Sequence, residues 1–235
     1  MSASLKTEPA EIPQIDVSGL YSSDPSDKAR VAAQIGAACN EIGFFYAINH
    51  HVPVAIIEAA RLKACEFFAQ PVEERLKIKA DRNNRGYREL GDTVHKSGKI
   101  FARDSFDLGF PVNANDPEVL DRDGNWIAAP PVPGSYVVNI GELMKRWTNG
   151  RFRATVHRVI HTKDTDRLSM PLFCNPNFRT LVDPRQLGVA EDEANYAPVL
   201  SGDYLVSRFQ ATRKLWGAAR KENAGLADSI EMPED

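Results

Sequence analysis

Cysteine is scarce in this 235-residue chain: Cys39, Cys65 and Cys174 lie far apart and form no Cys-x-x-Cys pair. An odd, sparse set of this kind excludes a disulfide framework. It predicts reduced thiols in an intracellular protein, as three small buried apolar residues. Long hydrophobic runs are missing too. No stretch reaches the roughly 20 apolar residues that cross a bilayer, and Met1 to Leu20 holds acids and prolines without the apolar centre of a signal peptide. The expectation is a cytoplasmic chain without a membrane partner. Charge of one sign does not accumulate: the net charge is -3 and the pI is near 6.0, so no basic surface for nucleic acid is expected. Internal repeats and low-complexity tracts are absent. What is present, 43% hydrophobic and 26% charged residues, suffices for one large domain or two small ones.

Taken in order, the chain places helices early and strands late. Ile12 to Val17 alternates as a short strand, with Pro13 at an edge or entry point. Ser22 to Asp27 supplies an N-cap for a helix from about Lys28 to Ile42, where Ala32, Ile35, Cys39 and Ile42 form one apolar stripe. Gly43 caps it, and Phe44 to Ile48 reads as a buried strand. Pro53 opens a second helix to about Gln70; Pro71 ends it and starts a short third one through Lys77. Asp104 to Phe110 is strand-like. Asp123-Gly124 is a hairpin turn with Trp126-Ile127 on the return strand. Ser135 to Ile140 is the clearest strand, followed by a short helix ending at Asn149-Gly150. Arg151 to Val159 alternates, with Phe152, Ala154 and Val156 on one face and Arg153, Thr155, His157 and Val159 on the other. Leu168 to Cys174 is a further strand, Asn175 to Glu193 a loop, and Tyr204 to Lys221 a closing helix. The arrangement is α+β with a β core.

Few residues carry chemistry. Adjacent histidines on extended chain point opposite ways, so His50-His51 is expected in a loop rather than on a metal. Arg167 and Ser169, two residues apart on a strand, share a face. A guanidinium beside a hydroxyl clamps a carboxylate, the planar fork binding both oxygens. With His157 as a metal ligand, the set asks for a carboxylate-bearing cofactor near a metal. A dicarboxylic oxo-acid suits it, one end on the metal and the far carboxylate on Arg167 and Ser169. Two histidines and one carboxylate on one face of iron(II) are the usual protein solution for such a site.

Several motifs resemble the isopenicillin-N-synthase-like branch of the iron(II)/2-oxoglutarate-dependent oxygenases. In the first half these are Ile12-Pro13-Gln14-Ile15-Asp16, Gly43-Phe44-Phe45-Tyr46 with Ile48-Asn49-His50, Arg85-Gly86-Tyr87, and Phe106-Asp107-Leu108-Gly109. The second half is closer: Pro133 to Glu142, Trp147-Thr148-Asn149-Gly150, Thr155-Val156-His157-Arg158-Val159, Arg167-Leu168-Ser169, Tyr196-Ala197-Pro198 and Gly202-Asp203-Tyr204-Leu205. The resemblance implies a double-stranded β-helix (jelly-roll) core with flanking helices. It implies His157 as the distal ligand of Fe(II), and Arg167 with Ser169 on the distal carboxylate of 2-oxoglutarate. It implies an enzyme that oxidises a small-molecule substrate while 2-oxoglutarate is converted to succinate and CO2.

One feature of that family is absent. A His-x-Asp or His-x-Glu pair should precede the distal histidine, yet none of His50, His51, His95, His157 and His161 begins one. The chain is also short for the family by roughly a hundred residues, with the break expected near Val119-Leu120-Asp121. The sequence therefore divides into an N-terminal region, 1–119, a C-terminal part of the jelly roll, 120–221, and an acidic tail, 222–235. The skipped part would hold the metal-binding pair and the first strands, leaving an incomplete core with exposed edges. His95 with Asp104 or Asp107 is a poor substitute, since the spacing does not suit one strand. Three readings follow: an oxygenase by lineage whose own chain has little or no activity, a catalytically dead remnant acting as an interaction module, or a jelly roll that binds carboxylates without redox chemistry.

Overall fold

The structure is a computed structural model that describes residues 11–80, 86–89, 105–107, 118–120, 123–158 and 168–212. In chain order the elements are β1 (Gln14–Asp16), α1 (Pro25–Glu41), β2 (Phe44–Ile48), α2 (Val54–Phe68), α3 (Val72–Leu76), β3 (Gly86–Arg88), β4 (Ser105–Asp107), β5 (Glu118–Leu120), β6 (Trp126–Ala128), β7 (Tyr136–Asn139), α4 (Glu142–Trp147), β8 (His157–Arg158), β9 (Leu181–Val182), β10 (Val199–Leu200) and α5 (Ser201–Thr212). The contacts divide the chain into two units. The first combines Met1–Ala59, Ala114–Ser169 and Asp183–Ala197, and the second Ala60–Asn113, Met170–Val182 and Pro198–Asp235. The division falls inside α2.

Unit one is built around β2. It pairs in parallel with β1 and antiparallel with β7, Phe44 lying opposite Asn139 and Ala47 opposite Tyr136. Both faces of β2 are covered, which explains a run of buried residues where a half-exposed strand would alternate. Phe45 and Ala47 join Ile15, Val17, Val31, Ala38 and Cys39 against α1. Phe44 and Tyr46 face the other way, into a cluster with Ile12, Val119 and Ala129. A second sheet has the order β6-β5-β8, all antiparallel, with Val119 between Ile127 and His157. Strand β5 spans the boundary expected at 119/120.

Helix α1 starts three residues before its expected start, because Asp24 caps the Ser26 N–H and Pro25 takes the first position. Its last turn has carbonyls without helical partners. Segment 153–155 supplies the donors: Arg153 N–H to Cys39 O at 2.9 Å, the Arg153 guanidinium to Glu41 O at 2.9 Å, and the Thr155 hydroxyl to Ile42 O. This clamp explains why Arg151 to Val156 is not the expected strand. Among the described residues of that run only His157 and Arg158 keep strand pairing, Thr155 is buried, and Val156 is 62% exposed. It also fixes Gly43, at φ +78, where a Cβ would run into the Arg153 carbonyl.

Around α4 the first unit is held by polar contacts. Asn149, at φ 55, donates to Glu193 O at 2.9 Å and accepts from Asn195 N–H at 2.8 Å. The buried Arg146 lies 5.0 Å from the Tyr196 ring centre. Asp183 caps the turn Pro184–Leu187, and its carboxylate takes Arg185 Nε at 2.9 Å. In unit two, β3 pairs with β4 and β9 with β10, all antiparallel. Phe67 meets Tyr87 edge-on and Phe106 at a tilt, and the first two N–H groups of α5 bond Thr180 O and Phe178 O.

Three expectations need correcting. Leu168 to Cys174 has no regular structure; its apolar residues are not gathered on a paired strand, and Leu172 is 88% exposed. Of the cysteines, all free, only Cys39 is buried, while Cys65 and Cys174 are exposed, because α2 buries none of its residues and 170–174 lacks a partner strand. The helix expected from Tyr204 begins earlier, at Ser201, and its expected end at Lys221 falls outside the described residues.

Replacing Gly43 by Ala is expected to cost about 2 kcal/mol or more, combining a left-handed backbone with a clash against main chain. Thr155→Val should cost about 1–2 kcal/mol by leaving a carbonyl unpaired. Urea unfolding of the two variants measures both. Asp183 supplies a pH test. Hydrogen bonding from Arg185 holds its carboxyl below the ordinary value, so the stabilisation is present above the unfolded-state value and is lost as pH falls through the folded one. The stability gap between wild type and Asp183→Asn should narrow as pH drops below about 4, measured by thermal melts across that range.

Candidate functional site

His157 is the one expected metal ligand among the described residues, and the clamp on α1 delivers it. With Arg153 and Thr155 tied to the end of the helix, the chain enters β8 against β5, and Leu120 N–H reaches Val156 O at 3.0 Å. The imidazole Nδ1 lies 3.0 Å from Thr155 O. A carbonyl only accepts, so Nδ1 is the donor, and in the neutral ring that tautomer leaves the lone pair on Nε2. That tautomer is the one a histidine ligand needs, with its second nitrogen oriented by a backbone carbonyl. The ring sits edge-on to Phe44, centres 5.3 Å apart and planes at 72°.

His157 is exposed, and the described residues in its row of the sheet are apolar. Residues opposite one another on neighbouring strands share a face, and the row through His157 continues into Val119 and Ile127. Val119 is completely buried. The next row pairs Arg158 with Glu118, and the Arg158 guanidinium lies 3.9 Å over the Trp126 ring, a cation–π contact.

The donor set does not fit an iron centre. Among the described residues no three of His, Cys, Asp and Glu come together as a metal site, and no His-x-Asp or His-x-Glu occurs anywhere in the sequence. One imidazole does not fix the geometry of Fe(II). Ser169 is half-buried, outside any helix or strand, and has a partner. Arg167 lies outside the described residues, so the carboxylate clamp stays a sequence expectation. His95 and Asp104 are also outside them, and Asp107 lies on β4.

The double histidine lies in a loop. His50 Nδ1 accepts the Val52 N–H at 3.1 Å and its ring rests on Tyr136, while His51, at φ 60, stacks on Tyr21 with centres 4.5 Å apart. Sequence reasoning missed Phe44, Val119 and Thr155 as the surroundings of His157. For Thr155 a signal existed, a hydroxyl two residues before the histidine. For Val119 there was none, because its pairing with His157 is long-range.

Comparison with known proteins gives consistent results. A family model described as non-haem dioxygenase in morphine synthesis N-terminal matches residues 12–129, and that of the 2OG-Fe(II) oxygenase superfamily matches residues 90–176. A homoarginine-6-hydroxylase of rice, Oryza sativa subsp. japonica, is 26% identical over 318 residues, covering 84% of this chain and 96% of the relative. That match is longer than the 235 residues of this chain, so a long internal stretch of the relative has no counterpart here. Among solved structures, a 2OG-Fe(II) oxygenase family protein from Caulobacter crescentus aligns with TM-score 0.70 at 20% identity, over 86% of this chain and 99% of its own. The full-length Neurospora crassa protein in complex with alpha-KG aligns with TM-score 0.69 at 20% identity, over 84% of this chain and 95% of its own. The fold is thus that of proteins with a double-stranded β-helix core, although no barrel closes among the described residues here. On the strength of the family match across half its length, the chain belongs to the 2-oxoglutarate/Fe(II) oxygenases, oxidoreductases whose cofactor and co-substrate are Fe(II) and 2-oxoglutarate.

Proposed function

We propose that this chain is an oxygenase by lineage, of the kind that oxidises a small organic molecule with succinate and CO2 as co-products, and that in its present form it has little or no such activity. The observation that carries the reading is the absent ligand pair: five histidines and no His-x-Asp or His-x-Glu among them. His157 is the remaining ligand position, and Arg167 with Ser169 the pair suited to the far carboxylate of 2-oxoglutarate. A small-molecule substrate is supported by the rice relative, a homoarginine-6-hydroxylase. The cytoplasm is the proposed compartment. No helix among the described residues is long and apolar enough to cross a membrane.

The residues give a physical reason for the loss. A three-donor face holds iron(II) by geometry as well as by affinity. With two donors gone, an oxo-acid clamped through Arg167 would have no fixed ion to chelate, so affinity for the far carboxylate cannot be turned into oriented chemistry.

The test is succinate release from 2-oxoglutarate with Fe(II), dioxygen and ascorbate, on the wild type and on His157→Ala. Uncoupled turnover needs no knowledge of the substrate. Both proteins should stay at the background without protein. Succinate formed by the wild type and abolished in the variant would show that the missing ligands come from elsewhere in the chain.

A further inference from the structure

We infer that the cross-strand position facing His157, where a second ligand could stand, is filled by the buried apolar side chain of Val119 on β5, so that the protein folds and persists without metal, with His157 itself exposed and resting edge-on against Phe44. The inference rests on the reading just given and deepens it, from what the sequence lacks to what stands in its place.

The argument starts from the ladder. Side chains directly opposite on paired strands stand about 5 Å apart at Cβ, close enough for two ligands of one ion. Across from His157 that position is Val119, and the following strand contributes Ile127. Neither carries a donor atom. Val119 has no solvent exposure and packs with Ile12, Phe44, Tyr46 and Ala129. A polar donor there would be buried among apolar groups at a cost of several kcal/mol unless bonded. The ring of His157 takes part in the same packing through its edge contact with Phe44.

The strand that does this is only three residues long, yet it is the middle strand of its sheet. β5 supplies partners to the hairpin on one side and to β8 on the other. The β5–β6 hairpin is closed through Asp123-Gly124, where Gly124 adopts φ +82, so the register that sets Val119 against His157 is local on one side and fixed by the α1 clamp on the other. No metal–ligand bond is needed to hold these three strands together. Among the described residues of this row, His157 is the one ligand-type side chain, and a lone imidazole does not fix a transition ion.

The experiment uses the full chain. It is incubated with excess Fe(II) anaerobically, or with Co(II), then passed through gel filtration, and metal content and thermal melts are compared with samples in EDTA. The expected result is less than about a tenth of an ion per chain and melting temperatures equal within about 1 °C. A micromolar site saturated a thousandfold would raise the melting temperature by about 10 °C. That rise, or an ion retained near one per chain, overturns the inference. His157→Phe, which keeps the edge contact and discards both nitrogens, should melt within about 2 °C of wild type. Val119→Asp should melt about 10 °C lower or more. A fall for His157→Phe as large as that for Val119→Asp, or no fall for Val119→Asp, also overturns it. Failure here is distinct from failure of the functional reading: an ion held through His157 without succinate sinks the inference alone, and succinate without retained metal sinks the reading alone.

Discussion

The final turn of α1 presents carbonyl oxygens that no helical N–H can reach, beside the buried Ala38 and Cys39. Backbone groups so placed must be satisfied by something. The chain solves this with residues more than a hundred positions away: the Arg153 main chain and guanidinium and the Thr155 hydroxyl. Much of unit one follows from that contact. It forces Gly43 into a conformation that glycine tolerates, which aims β2 into the sheet, and Gly43 O in turn accepts Ile140 N–H at the end of β7. Helix, central strand and the segment leading to His157 become one mechanical piece.

The same contact explains how a ligand-like histidine keeps its orientation with no cluster of metal ligands among the described residues. Its orientation is set from behind, by Thr155 and Phe44, and does not depend on the groups in front of it. Tautomer and direction belong to the scaffold, whereas chelation belongs to residues contributed by other strands. A chain can therefore keep the first and lose the second. Family membership and donor inventory diverge here for that reason: the sequence motifs that identify the family are spread along the scaffold, and the chemistry depends on two residues outside them.

Much of unit one was legible in the residues. The stripe Ala32, Ile35, Cys39, Ile42 with a glycine behind it marks a helix and its end, although the face that α1 buries is Val31, Ala38 and Cys39 and Ala32 is exposed; Phe44 to Ala47 has the unbroken apolar character of a strand covered on both faces. The hairpin at Asp123-Gly124 is stated by two adjacent residues. Legibility failed where long-range contacts outrank local pattern. Arg151 to Val156 alternates as a strand should, but side-chain and backbone bonds to α1 take priority over a ladder. Leu168 to Cys174 has strand-like composition and no strand to pair with. At the candidate site, His157 could be picked out by motif, whereas its opposition to Val119 depends on a register that no local pattern encodes.

Strand β2 meets β7 across the whole stretch 49–135, Phe44 against Asn139. In chain-entropy terms, closing a loop of that size is insensitive to its length, each doubling adding about 0.6 kcal/mol. A hundred residues more between β2 and β7 would therefore barely alter the work of bringing the two strands together. Pairing at the centre of unit one is tolerant of large changes in what the intervening chain contains, and a lineage can shed that content without first having to rebuild its central sheet.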